Sequence, residues 1–170
     1  MAMINHEFIQ LYKQMNHLCI NNKWGDPFSY ARGKEIYASL ALGHTVSDTL
    51  AGADAYTKEG EPCEYKSTTN DKIRGLYSGI SVFNTWSEQQ MYLEQDKIGK
   101  YKHFYNRFDE FELIESWTIP TDKVLDILLT KIKEKYYDEE NLLKPNKNKD
   151  PRISVFITYN EIMKFGSQII

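Results

Sequence analysis

A short polar segment between two extended runs constrains the fold of this chain more than any other feature of its sequence. The runs cover residues 53–56 and 62–68, and Gly60 lies among the five polar residues between them, where a hairpin turn favours glycine. Side chains on a strand alternate between its two faces, so every second residue of the longer run faces the same side. The pattern therefore predicts a β-hairpin whose second arm has two chemically different faces.

The residues of this hairpin combine two acids with one lysine. Glu64 and Lys66 share one face of the second arm, whereas Cys63 and Tyr65 face the other way. A tight hairpin would bring Asp54 of the first arm beside Glu64. Carboxylate oxygens suit Mg²⁺, which stabilises charge on a phosphate and lowers the pKa of a bound water, and Lys66 would position that water or stabilise the transition state. The alternative is a cross-strand ion pair on an exposed hairpin.

Hydrophobic periodicity divides the rest of the chain between helices and strands. Predicted helices cover about residues 3–21 and 27–42, begin at Ser87 and Thr121, and cover 160–165 near the end. Predicted strands cover residues 45–50, 76–83, 111–119 and 152–159. The order of these elements predicts a mixed α/β fold in one domain, residues 1–170.

The first predicted helix carries a narrow apolar stripe. Its members are Ile4, Phe8, Leu11, Met15 and Leu18. Their steps of three and four residues place them on one face of the helix, like the seam of a coiled coil. This stripe packs either on its own domain or on a second subunit.

Composition indicates the cellular compartment that we expect for this protein. A chain of 170 residues can bury a sizeable core, and no run of 18 apolar residues could span a membrane. Polar residues interrupt the N-terminal segment, which argues against a secretory signal peptide. The two cysteines, Cys19 and Cys63, have no metal-binding or disulfide spacing. We therefore expect a cytoplasmic protein without a zinc site or disulfides.

One segment is basic although the net charge of the chain is −3. It contains Lys97, Lys100, Lys102, His103 and Arg107 without an intervening acid. We place it on the helix that begins at Ser87, whose side chain forms a capping-box pattern with Gln90. The cluster would neutralise phosphates of a nucleic acid or, alternatively, form a solvated helix face. His103 has no partner at a spacing that suggests a metal site or a catalytic triad.

The two acids and the lysine also carry a family resemblance. Gly52-Ala53-Asp54 followed by Cys63-Glu64-Tyr65-Lys66, within an alternation of helix, strand and hairpin, resembles the PD-(D/E)xK nuclease superfamily of restriction endonucleases and their relatives. The resemblance covers roughly residues 27–119 and implies a restriction endonuclease-like core, a central mixed β-sheet flanked by helices. The helix at 3–21 and residues 120–170 would be elaborations. Ala53 stands where the nominal motif has proline.

The resemblance implies a role for each residue of the motif. Asp54 and Glu64 would hold Mg²⁺, for which Mn²⁺ would substitute, and Lys66 would serve the attacking water. The backbone carbonyl of Tyr65 would be a further metal ligand.

Other candidate site residues lie outside the motif. Some members of the superfamily add a glutamate from an upstream helix, and Glu35 fits that position, although a solvated glutamate is the alternative. Asp48 is a second candidate for the same role. The residues expected to contact DNA are Ser67, Thr68, Thr69, Asn70, Lys72, Arg74, Lys100, Lys102 and Arg107.

The implied function is hydrolysis of phosphodiester bonds in double-stranded DNA by a Mg²⁺-dependent endonuclease. We expect a type II restriction endonuclease of a restriction–modification system, which cuts a specific site as a homodimer. A Holliday-junction or repair nuclease of the same superfamily and a non-catalytic DNA-binding module are the alternatives. The sequence contains no Walker A, GxGxxG or GxSxG motif, so we expect no nucleotide cofactor.

Overall fold

The computed structural model describes residues 2–49, 51–145 and 152–170, and their fold is mixed α/β, as predicted. The α-helices are α1 (Ala2–Asn21), α2 (Arg32–Ala41), α3 (Trp86–Tyr92), α4 (Thr121–Tyr136) and α5 (Tyr159–Phe165), and a π-helix (Leu93–Lys97) follows α3. The strands are β1 (Thr45–Val46), β2 (Ala55–Tyr56), β3 (Pro62–Thr68), β4 (Gly75–Ile80), β5 (Lys102–Asp109), β6 (Glu112–Ile119), β7 (Ile153–Ile157) and β8 (Ser167–Gln168). The more specific expectation, a restriction endonuclease-like core, stays a prediction.

The chain divides into two compact units, Met1–Cys63 (unit 1) and Glu64–Ile170 (unit 2). The boundary falls inside strand β3. It coincides with neither limit of the predicted core at residues 27 and 119, and the single-domain organisation stays a prediction.

Unit 1 contains α1, α2, β1, β2 and the first two residues of β3, so it includes the turn of the predicted hairpin. Strand β2 pairs antiparallel with the beginning of β3, with Ala55 opposite Cys63, and β1 pairs with β2 on its other side. Gly60 has a φ of +82° in the turn, which explains why glycine is favoured there. The predicted strand at 45–50 is shorter than expected, and Leu50 lies outside the described residues.

Helix α2 begins five residues later than predicted. The Asp26 carboxylate accepts a hydrogen bond from the backbone N–H of Phe28, so this aspartate closes a local turn and does not cap a helix. The helix begins at Arg32 and ends at Ala41, just before Gly43, whose φ of +70° suits a helix C-terminus.

Unit 2 contains two antiparallel strand pairs and most of the apolar core. Strands β5 and β6 form a long hairpin, and β8, which the sequence did not predict, pairs with the far edge of β6. Strand β3 lies on the other side of β5. Strand β4 pairs separately with β7. Helix α4 buries Val124, Leu128 and Ile132 against these strands.

The basic segment is not helical beyond Lys97, contrary to the prediction. The π-helix ends at Lys97, and a side chain at Gly99 would lie 2.0 Å from the carbonyl oxygen of Glu94, so only glycine fits the turn that follows. Residues 102–109 then form strand β5. Phe104, Tyr105 and Phe108 favour a strand, and all three are buried, as is His103.

Two helix and strand starts also differ from the predictions. The capping box of α3 joins Thr85 to Glu88, whereas the predicted one joins Ser87 to Gln90. Strand β6 begins after Phe111, which lies in the hairpin turn with 82% of its surface exposed and so does not share the buried face of the strand.

Candidate active site

Strand β3 places Glu64 and Lys66 on one face, as its alternation predicted. Cys63 and Tyr65 are buried, while the side chains of Glu64 and Lys66 are 18% and 19% exposed. The Lys66 ammonium donates a hydrogen bond to Oε1 of Glu64 and forms an ion pair with it. The two charged residues of unit 2 that we assigned to catalysis are therefore in direct contact.

The Lys66 ammonium has a second partner, the aromatic ring of Tyr77. Its Nζ lies 4.8 Å from the ring centroid, which is within the range of a cation–π interaction. Gly75 makes room for this arrangement. A Cβ atom there would lie 2.5 Å from Cε1 of Tyr105 and 3.1 Å from Cγ of Lys66, so a larger residue would force these side chains apart.

A chain of buried polar groups continues from Tyr77 into the core of unit 2. The Tyr77 hydroxyl lies 2.9 Å from the Tyr105 hydroxyl and 2.8 Å from Nδ1 of His103. Nε2 of His103 lies 3.1 Å from the backbone oxygen of Ile98. All three side chains are at least 97% buried, since none has more than 3% of its surface exposed.

Burial determines the protonation states of Tyr77, Tyr105 and His103. It lowers the pKa of His103 to about 4, so the imidazole is neutral at neutral pH and carries a single N–H. Because the Ile98 carbonyl can only accept, Nε2 carries that proton and Nδ1 accepts from the Tyr77 hydroxyl. The Tyr77 oxygen then accepts from Tyr105. Burial also raises the pKa of both tyrosines, so both stay protonated.

In unit 1 hydrogen bonds to Cys63 of the hairpin and to Ser47, just after β1, fix the backbone of Asp54 on both sides. Its N–H donates to the carbonyl of Cys63 at 2.9 Å, and its carbonyl accepts from the N–H of Ser47 at 3.1 Å. The Asp54 side chain is half-buried between the buried residues Ala53 and Ala55.

Glu35 has a structural partner in unit 1. It forms an ion pair of 3.3 Å with Arg32, whose side chain is only 2% exposed. The Arg32 guanidinium also donates to the carbonyls of Trp24, at 2.7 Å, and of Ser47. Glu35 therefore balances a buried charge that joins three segments, and its catalytic role stays a prediction. Asp48 is exposed.

The expected DNA-contacting residues after β3 differ in their surroundings. The hydroxyl oxygen of Ser67 is buried, whereas Thr69 and Asn70 are exposed, and the Thr68 hydroxyl accepts from the N–H of Asn70. Lys72 and Arg74 are exposed and lie over aromatic rings. The Lys72 ammonium is 5.7 Å from the Tyr159 ring and the Arg74 guanidinium is 5.4 Å from the Phe156 ring.

The three residues of the basic segment that we expect to contact DNA also differ in their exposure and in their partners. Lys100 and Lys102 are exposed, and the Lys100 ammonium lies 5.2 Å from the centroid of the Tyr101 ring. Arg107 donates through Nε to Oε2 of Glu115 at 2.5 Å, so its charge already has a partner on the neighbouring strand.

Two lysines beside Phe156 are not among the predicted site residues. Lys131 and Lys135 are one turn apart on α4 and donate to the carbonyls of Phe156, at 2.8 Å, and Ser154, at 3.4 Å. They line a cavity of about 590 Å³. Their spacing of four residues was the available signal, but the strand they face could not be identified from it.

Glu64 offers a carboxylate oxygen, the type of ligand that Mg²⁺ prefers. Within the part of the chain that the structure describes, no group of three or more His, Cys, Asp and Glu residues is placed to hold a metal ion. A Mg²⁺ site needs fewer, because this ion keeps several waters and binds through one or two carboxylates. The donor chemistry of Asp54 and Glu64 therefore fits the expected ion.

Comparisons with known proteins identify no family for this chain. No family model matches the sequence, and no curated protein matches it. No helix among the described residues is long and apolar enough to cross a membrane.

We expect the free energy of unfolding to decrease as the pH falls from 6.5 towards 4. The unfolded chain takes up a proton on His103 at the ordinary pKa of 6.5, while burial lowers the pKa in the folded state to about 4. Stability is therefore full above pH 6.5 and is lost between these two values, by about 2 kcal/mol between pH 6.5 and pH 5. Urea unfolding at the two pH values measures this loss.

The variant His103→Gln should show a flatter pH dependence, because it removes the titrating group. His17→Gln, which replaces an exposed histidine on α1, is the matched control and should keep the wild-type dependence. Equal dependence in the wild type and in His103→Gln would contradict a neutral, buried imidazole.

Proposed function

We propose that this chain is a Mg²⁺-dependent DNA endonuclease whose catalytic centre consists of Asp54, Glu64 and Lys66. The observation that carries the proposal is the contact between Glu64 and Lys66 on one face of β3. The β2–β3 hairpin supports it further, because the backbone of Asp54 pairs with Cys63, the residue before Glu64. An acid on one arm with an acid and a lysine on the other is the arrangement on which the resemblance to the PD-(D/E)xK nucleases rests.

Each residue has a task in this proposal. Asp54 and Glu64 hold the cation through carboxylate oxygens, and the carbonyl of Tyr65 is an additional ligand. Lys66 orients the attacking water and stabilises negative charge on the phosphate. Bound Mg²⁺ supplies a Lewis acid for the phosphate oxygens and lowers the pKa of water.

Within this class we propose a type II restriction endonuclease that cuts both strands at a specific site. Exposed cations at Lys72, Arg74, Lys100 and Lys102 support DNA as the partner of an acidic protein, because they can neutralise phosphates. A junction or repair nuclease would use the same three catalytic residues. Discrete fragments from an unmodified plasmid favour restriction, whereas cleavage of branched DNA alone favours the junction enzyme.

We expect Asp54→Ala, Glu64→Gln and Lys66→Met to abolish cleavage of plasmid DNA in the presence of Mg²⁺. Each substitution removes a ligand or a catalytic charge, and such losses cost on the order of 10³-fold or more in rate. Fragment formation at matched protein concentration measures the effect, and chelation of the metal should stop the wild type.

Asp109→Ala and Lys123→Ala are the matched controls, since Asp109 is exposed, the Lys123 side chain is 45% exposed, and both lie outside the proposed centre. Both should cut at the wild-type rate. Retention of more than a few per cent of activity by a variant of the centre, with a folded circular-dichroism spectrum, would show that the centre is assigned wrongly.

We expect Lys100 and Lys102 to contribute to DNA affinity through phosphate contacts. Each such contact adds about 0.9 to the slope of log affinity against log salt concentration, so replacing both lysines by alanine should flatten the slope by nearly two units. Fluorescence anisotropy with a labelled duplex at several salt concentrations measures the slope. The double variant of Lys133 and Lys164 removes two other exposed lysines and should leave it unchanged. If both double variants behave alike, the basic segment is only a solvated surface.

We expect a homodimer that pairs through α1 and cuts both strands. The predicted stripe on α1 is exposed, with 68%, 58%, 47% and 52% of the surface accessible at Phe8, Leu11, Met15 and Leu18, while the side chain of Ile4 lies outside the described residues. A surface of this kind favours burial against a second copy. Sedimentation equilibrium at micromolar concentration should give twice the chain mass.

Leu11→Glu should shift this equilibrium to the monomer, because a charge in the seam opposes burial. Gln14→Glu adds the same charge at an exposed position of the same helix and serves as its control. A wild-type particle of monomer mass with and without DNA would exclude the dimer and leave the nuclease proposal standing.

A further inference from the structure

The Lys66 side chain reaches the surface of unit 2 with its ammonium between a carboxylate and an aromatic face. Glu64 supplies the carboxylate and the Tyr77 ring supplies the face. We propose that Tyr77 is a positioning residue that holds the Lys66 ammonium in its working orientation and is itself fixed by the hydroxyl–imidazole chain of Tyr105 and His103. This inference rests on the proposed nuclease function, in which Lys66 serves the attacking water.

The Tyr77 ring is held at its far end. Its hydroxyl donates to Nδ1 of His103 and accepts from the Tyr105 hydroxyl, so two hydrogen bonds of 2.8 and 2.9 Å fix the oxygen. His103 is fixed in turn by the Ile98 carbonyl. The ring therefore presents one face to Lys66 and cannot turn away without breaking buried hydrogen bonds.

Gly75 supports the same arrangement from the other side. The absence of a side chain there lets the Tyr105 ring and the aliphatic part of Lys66 approach the backbone of β4. Lys66 is thus packed along its stem as well as at its ammonium. A long, flexible side chain is left with little freedom, which is what a group that orients a reactant requires.

The aromatic partner has a further consequence for the proposed reaction. Glu64 is a proposed ligand of the cation, and a carboxylate that shares its charge with a cation attracts the Lys66 ammonium less strongly. The face of the Tyr77 ring carries no net charge and is not a metal ligand, so its attraction for Lys66 persists. Tyr77 therefore keeps Lys66 in place when the hold of Glu64 is weakened.

The first test is a spectroscopic one that does not depend on cleavage. Protons held against the face of an aromatic ring are shielded by its ring current, so the ε-methylene resonance of Lys66 should lie upfield of those of exposed lysines. Protein labelled with ¹³C-lysine shows these resonances, and Lys66→Arg identifies the one that belongs to Lys66. In Tyr77→Leu the resonance should return to the region of the exposed lysines, whereas Tyr77→Phe, which keeps the ring, should retain most of the shift.

The second test measures cleavage with the same variants. Loss of the cation–π contact should lower kcat by about 2- to 30-fold in Tyr77→Leu, with KM for DNA unchanged, because Lys66 acts in the chemical step. Tyr77→Phe should lose less. Tyr137→Phe is the matched control, since it removes another buried tyrosine hydroxyl, bonded to Phe83 and Gln89, away from Lys66. Its kcat should equal that of the wild type at the same folded fraction.

The two tests separate failure of this inference from failure of the proposed function. An unchanged Lys66 resonance in Tyr77→Leu overturns the inference, as does a kcat in that variant equal to that of Tyr137→Phe. Should Tyr77→Leu fail to fold, the wild-type spectrum still decides. A wild-type Lys66 resonance that lies among those of the exposed lysines overturns the inference. A shielded resonance that depends on Tyr77, in a wild-type protein that cuts no DNA, supports the positioning and rejects the nuclease proposal.

Discussion

Burial of three hydrogen-bonding side chains is the constraint that organises unit 2. Tyr77 lies on β4, in one strand pair, while His103 and Tyr105 lie on β5, in the other. A buried donor or acceptor without a partner costs about 1–3 kcal/mol, so the hydroxyls and the imidazole must pair. Their hydrogen bonds join β4 of one strand pair to β5 of the other. The neutral imidazole of His103 also fixes the direction of the hydrogen bonds that join Tyr105, Tyr77 and His103. The polar interior therefore determines which face of Tyr77 is available to Lys66.

Unit 1 uses a buried charge in a comparable way. The Arg32 guanidinium holds the loop at Trp24, the end of β1 at Ser47 and the carboxylate of Glu35. The N–H of Ser47 in turn donates to the carbonyl of Asp54. A buried arginine without acceptors would be strongly destabilising, so this pairing fixes the surroundings of the proposed catalytic aspartate through the backbone. Glu35 stabilises that frame whether or not it also takes part in catalysis.

Local patterns in the sequence predicted the elements that depend on local geometry. The limits of β3 and its alternation follow from residues 62–68 alone, and the structure confirms both. Predictions failed where two signals overlapped, as at Thr85 and Ser87, which both begin a capping-box pattern, so that only packing of the intervening Trp86 decides between them. The contact of Tyr77 with His103 joins residues 26 positions apart. No periodicity reveals such a pair, because it depends on how the strand pairs pack.

The ion pair of Glu64 and Lys66 has two physical explanations, a stabilising contact or the catalytic pair that we propose. As a stabilising contact it would be weak, because pairs near the surface contribute about 0–1 kcal/mol and partly buried pairs lose much of their attraction to desolvation. Yet Lys66 is packed against an aromatic ring, with a glycine beside its stem and a fixed hydroxyl behind the ring. This order around one ammonium matches what the proposed function demands of Lys66, since a catalytic group must be oriented before the substrate arrives.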